Sequence, residues 1–188
     1  MIVEQLRSQT KQAHLELDHS LYPHIQNIRD EEAYAKLLKA FYGFFKPMQD
    51  QFDLFLNDHL VPDYQNRRKP EWILQDLEKL KQATTELAFF TGIPAIKTSA
   101  EALGAFYVLE GSTMGGSIIS KKIRENLGYK DDSRLRFFAG YGENNRVLWN
   151  NFLETLGKTK ENPDEIIDSA QNTFITFKGW LDQVYARE

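Results

Sequence analysis

The chain has 188 residues, 41% hydrophobic and 13% aromatic, which supports one domain with a full core and excludes a disordered chain. It contains no cysteine, so disulfides, thiolate metal sites and a cysteine nucleophile are excluded, and a net charge of -4 offers no footprint for nucleic acid. No apolar run approaches the ~20 residues of a membrane span, and Glu4 and Arg7 break up any secretory core, so a cytoplasmic protein with no membrane partner is expected.

In chain order the periodicities predict helices and no strand of useful length. A first helix is expected over 2–21. Asp30 reads as an N-cap with Glu31 and Glu32 in the first turn of a helix to Lys46, which Pro47 ends or bends into a segment reaching Leu60. After the loop at 61–69, Pro70 suits the start of a helix over 71–91. Ser99 is the expected cap of a long helix that stops near Gly128. A short aromatic helix and turn at 133–142 precede a helix near 144–156. Asn162, Pro163, Asp164 and Glu165 supply cap, first-turn proline and acidic first turn for the last helix, whose stripe is Ile166, Ala170, Phe174, Phe177, Leu181 and Val184. The fold class predicted is all-α, a compact single-domain bundle over residues 1–188.

The long helix is unusual. Leu103, Phe106, Tyr107, Ile118, Ile119 and Ile123 outline a buried stripe, yet Gly104, Gly111, Gly115 and Gly116 interrupt it. Each internal glycine costs about 1 kcal/mol relative to alanine, so the set needs a reason. Gly104, Gly111 and Gly115 fall roughly on one face, which can admit a flat ligand against bare backbone and can kink. Close packing against another helix fits the same spacing.

Of the four histidines, His14 has the most informative neighbours. It shares a helix face with Leu17 and Leu21 on one side and with Arg7, Thr10 and Lys11 on the other. Lys11 and Arg7 lie three and seven residues before it, about 4.5 and 10.5 Å along the axis at 1.5 Å per residue. A haem iron and its propionate edge are comparably separated, so one helix could hold the metal by an imidazole and the carboxylates by two cations. The bland alternative is a helix with a solvated basic edge. Glu16 and His19 have the Glu-x-x-His spacing of di-iron bundles, but no second such pair exists, and both are expected at the surface. Ser112 lies in no nucleophile elbow, no phosphate-cradling loop is present, and Arg67, Arg68 and Lys69 read as a solvated loop. His24 and His59 read as structural or exposed.

Two segments carry a family resemblance. Leu6-Arg7, Thr10-Lys11 and His14, followed by Leu17-Asp18, resemble the first-helix motif of haem oxygenases; Tyr107 through Gly111-Ser112 to Gly115-Gly116 resembles their distal-helix motif. The segments Tyr42–Phe45, Phe138–Gly142, Leu148–Phe152 and Phe174–Trp180 are similar to bacterial members, so the likeness runs over most of the chain. It implies haem between the first helix and a kinked glycine-rich distal helix. His14 would be the iron ligand, and Arg7 and Lys11, with Thr10 in the same motif, would serve the propionates. Tyr107 would lie near the propionate side, and Gly111, Ser112, Gly115 and Gly116 would form the distal face where reaction occurs. Many members carry an aspartate where this chain has Ser112.

The implied activity takes haem as cofactor and substrate. With O₂ and electrons from a ferredoxin or flavoprotein reductase, haem is cleaved to biliverdin, CO and ferrous iron. The leading alternative is a haem carrier or sensor of the same fold. A thiamin-degrading or cofactor-oxidising relative would need more polar groups in the pocket, and a ligand-free partner-binding bundle leaves the glycines and the His14 cations unexplained.

Overall fold

The computed structural model describes residues 2–186, and these form seven α-helical segments with no strand among them. They are α1 (Ile2–Gln26), α2 (Glu31–Phe55), α3 (Glu71–Lys79), α4 (Ser99–Leu127), α5 (Arg136–Ala139), α6 (Asn145–Gly157) and α7 (Pro163–Tyr185). None of these helices is long and apolar enough to cross a membrane. The central packing sets α7 against both α1 and α4, and α1 buries Leu6, Thr10, Ala13, Leu17, Leu21 and Ile25 along one stripe.

Caps explain most boundaries. Asp30 accepts from Ala33 N at 2.8 Å and Asn162 from Asp164 N at 3.0 Å, as their sequences predict. For α4 the cap is Thr98, accepting from Glu101 N at 3.1 Å, one residue before the expected Ser99. Gly128 closes the same helix in the left-handed conformation, φ 67°.

Three boundaries depart from expectation. The first helix continues past Leu21 to Gln26, with Pro23 in its last turn. Of the two outcomes expected at Pro47 the helix does not end there; α2 runs through it, but to Phe55 rather than Leu60. A proline within a helix leaves the carbonyl four residues back without its donor. Here that carbonyl belongs to Gly43, and Phe90 N from a distant loop donates to it at 2.9 Å. Gly43 also lets that loop approach, since a Cβ there would lie 2.5 Å from Ala88 O and 2.8 Å from the Trp180 ring. Trp180 completes the joint by donating from Nε1 to Ala40 O at 2.7 Å.

The third departure is α3, which stops at Lys79 rather than near Thr91. Lys81 takes the left-handed conformation, φ 56°, while Lys81 N bonds Glu78 O and Gln82 N bonds Leu77 O, each at 2.9 Å. This is a Schellman closure with lysine in the position where glycine is usual. Ile118, expected in the buried stripe of α4, is instead 73% exposed. The stripe of α7 is buried as expected from Ile166 through Leu181.

Candidate haem site

A cavity of about 460 Å³ opens between α1 and α4. That volume lies within the roughly 300–1,000 Å³ of small-molecule and cofactor sites. From α1 it is lined by Arg7, Thr10, Lys11 and His14, and from α4 by Tyr107, Gly111, Ser112 and Gly115. Phenylalanines from α2, α5 and α7 give it flat apolar walls: Phe41, Phe45, Phe138, Phe174 and Phe177. Phe41 and Phe177 meet edge to face at 5.1 Å, as do Phe41 and Phe138 at 5.0 Å, an arrangement that fixes the wall rings in place.

The α1 side is polar in the order its spacing dictates. His14 is the one histidine lining the cavity among the described residues; its ring stacks on Phe174 at 5.1 Å and its Nε2 stands 3.5 Å from Asp18 Oδ2. A carboxylate next to one imidazole nitrogen leaves the other free for a metal. The His14 side chain is 56% exposed, so an incoming group can reach it without displacing core. Thr10 faces inward, its hydroxyl donating to Leu6 O at 2.7 Å, so it serves the helix rather than offering a free donor to a ligand. Burial pushes the Tyr107 hydroxyl pKa up, and the charge of Arg7, with its hydrogen bond, opposes that rise only in part. Of the other histidines, His24 stacks on Tyr185 at 3.6 Å, and His19 and His59 are exposed outside the cavity.

The glycines of α4 divide into distinct uses. At Gly115 an added Cβ would meet nothing within 4 Å, so this is open backbone on the cavity. At Gly111 it would come 3.1 Å from the Trp149 ring, which packs over that turn and itself lines the cavity. Gly116 was expected on the distal face, but it is buried, does not line the cavity, and its Cβ would lie 2.6 Å from Phe138 O. It lets α5 dock. Gly104, placed by spacing on the same face, likewise admits the Ile166 carbonyl of α7. Of the three glycines expected on one bare face, Gly104 is therefore a packing joint, Gly111 lies on the cavity under Trp149, and Gly115 is open backbone.

The largest correction concerns the loop before α3. Arg67 and Arg68, expected in solvent, are 1% and 7% exposed. Arg67 pairs with Glu110 of α4 at 2.6 Å and donates to Leu148 O and Pro62 O. Tyr141 donates to the same carboxylate at 3.0 Å and accepts from Arg68 N at 2.6 Å. The Arg68 side chain reaches the cavity, where its Nη2 donates to Leu109 O and, at 2.5 Å, to Ser112 Oγ. The Ser112 hydroxyl in turn donates to Leu109 O at 2.7 Å. One signal for this network was present: Glu110 directly follows the apolar run Leu103–Leu109 of a buried helix, and a buried carboxylate requires a cation.

The donor set fits haem: one imidazole for a metal, two cations and a tyrosine on the same side for carboxylates, apolar walls for the ring, and open backbone at Gly115 opposite. Comparisons with known proteins bear on the fold and the family. The structure resembles the NO- and CO-bound heme oxygenase of Neisseria meningitidis at 22% identity, TM-score 0.80, covering 99% of this chain and 92% of that one. It also resembles heme oxygenase-1 of Synechocystis sp. PCC6803 in complex with heme, at 16% identity and TM-score 0.76, covering 99% and 93%. At these identities the likeness establishes the fold. No curated protein matches the sequence significantly. The Heme oxygenase family model, however, matches residues 1–183, and with it the chain is assigned: this protein belongs to the haem oxygenase family.

Proposed function

We propose that this chain binds haem in the α1–α4 cavity and cleaves it, with O₂ and electrons, to biliverdin, CO and ferrous iron. The observation that carries the reading is the pairing of His14, backed by Asp18, with Arg7 and Lys11 on one helix, opposite the open backbone of Gly115. Bound haem supplies both the iron at which O₂ is reduced and the carbon skeleton that is oxidised.

The protein's own contribution is positioning. His14 holds the metal as a neutral imidazole, a ligand that pushes less electron density than a thiolate. Arg7 and Lys11 hold the propionates by charge-assisted hydrogen bonds, setting the rotation of the ring about its axis. Gly115 would let haem approach bare backbone, and the phenylalanine walls would shield it from bulk water. Ser112 Oγ donates to Leu109 O and accepts from Arg68, so it holds the guanidinium where many relatives carry a carboxylate. A ferredoxin or a flavoprotein reductase supplies electrons, and the setting is the cytoplasm.

Ser112 also favours one rival, a carrier of the same fold that keeps its haem. The experiment is to add hemin to the purified chain and then ascorbate under air, following the absorbance. An oxygenase bleaches the Soret band and yields biliverdin, whereas a carrier retains it. His14→Ala is expected to abolish the native ferric spectrum, while substitutions of His19, His24 or His59 leave it in place. An unchanged spectrum in His14→Ala refutes the ligand assignment.

A further inference from the structure

The cavity holds a charge that propionate binding at Arg7 and Lys11 leaves unused. The Arg68 guanidinium is buried, 4.4 Å from the Phe137 ring centroid and 5.3 Å from that of Phe45. Among the described residues no carboxylate lies within 4.0 Å of it, because the nearby acid, Glu110, is held by Arg67 and Tyr141. Its Nη2 is satisfied by Leu109 O and Ser112 Oγ, both neutral acceptors. Its Nε and Nη1 find no protein acceptor among those residues, yet no buried side-chain nitrogen or oxygen there goes unpartnered, so these donors reach the cavity space. Burial works against the charged form, but an arginine stays protonated in proteins. A desolvated cation without a counter-ion is costly, and the cost is offset when an anion arrives.

We propose that Arg68 and Ser112 form an anion-selective pole on the α4 side of the cavity, which stabilises small anionic ligands of ferric haem over neutral ones. The proposal rests on the haem reading above. It also gives Ser112 a physical reason: an aspartate in its place would sit against the guanidinium, neutralise it and close the pole, whereas serine orients the cation and leaves its charge available.

The test reconstitutes the full chain with ferric haem at neutral pH and titrates it with sodium fluoride and, separately, with imidazole, reading each affinity from the absorbance. Arg68→Gln is expected to weaken fluoride binding by about tenfold or more, the scale of one hydrogen bond to a charged group, and to leave imidazole binding in place. Ser112→Asp, with Arg68 intact, is expected to produce the same selective loss, while Ser112→Asn retains fluoride affinity. Ser112→Asp is also expected to raise the melting temperature of the haem-free protein by pairing the buried cation. Should Arg68→Gln not fold, Ser112→Asp decides alone. Unchanged fluoride affinity in Ser112→Asp, or a lower melting temperature of its haem-free form, overturns the proposal while the haem reading stands. Failure of the wild-type chain to take up haem in a His14-dependent way overturns that reading, and the proposal with it.

Discussion

Alanine substitution of the four glycines in α4 should separate packing from function, because their surroundings differ so sharply. Gly115 is exposed, with no atom within 4 Å of an added Cβ, so Gly115→Ala should gain the full helix propensity difference. That difference is about 1 kcal/mol, worth a rise in Tm of roughly 2–4 °C for a chain of this size. Gly116→Ala puts a methyl 2.6 Å from Phe138 O, and Gly104→Ala drives one into the Ile166 carbonyl, so a neighbouring helix must shift in each case. Overpacking of this kind costs typically about 1–3 kcal/mol, which exceeds the propensity gain and should lower Tm. Gly111→Ala meets the Trp149 ring at 3.1 Å, a contact the ring can relieve by tilting, so the gain and the cost should nearly cancel. Gly115→Leu then isolates function: it should melt no lower than the unaltered chain and retain the His14-dependent spectrum, yet lose most biliverdin per haem because its side chain fills cavity space. The assays are circular dichroism melts beside chromatographic biliverdin yield. Normal yield in Gly115→Leu, or a destabilised Gly115→Ala, would refute the assignment of Gly115 to the cavity.

Other substitutions probe the remaining parts. Arg7→Ala with Lys11→Ala should weaken haem affinity and yield a mixture of biliverdin isomers, measured by chromatography; if both are unchanged, the propionates are held elsewhere, with Lys178 of α7 a candidate, or Arg187, which lies outside the described residues. Glu110→Ala should be severely destabilising, by about 3–5 kcal/mol in chemical denaturation, since it leaves the buried Arg67 without its anion. Asp76, fully buried, accepts from Arg136 N and Phe137 N at the start of α5, and burial pushes its carboxyl up to about 6 from an ordinary 3.8 despite those bonds. The folded protein therefore holds a proton that the unfolded chain releases between those values, so stability should fall as pH rises from 4 to 6.5, by up to roughly 3 kcal/mol from this group. Carbon-detected titration of Asp76 with a midpoint near 4 would exclude that contribution.

Helical class, the order of elements and the cavity's α1 side were legible in the chain because they depend on local periodicity and short spacing. Arg7, Lys11 and His14 must share a face of any helix that contains them, and Asp30, Asn162 and Gly128 carry their caps in their own chemistry. The rest depended on contacts distant in sequence. Pro47 reads as an end or a bend until the Phe90 N–H supplies the donor its helix lacks, and α3 ends early because a lysine accepts a conformation that its sequence does not advertise. Gly111, Gly115 and Gly116 look alike in one dimension, and only the placement of Trp149 and Phe138 decides which of them faces the cavity. Arg67 and Arg68 are adjacent charged residues in a polar loop, the ordinary signature of a solvated surface. The fold turns Arg67 inward because Glu110, over 40 residues away, needs a cation where water cannot reach, and Arg68 beside it is buried against neutral acceptors instead.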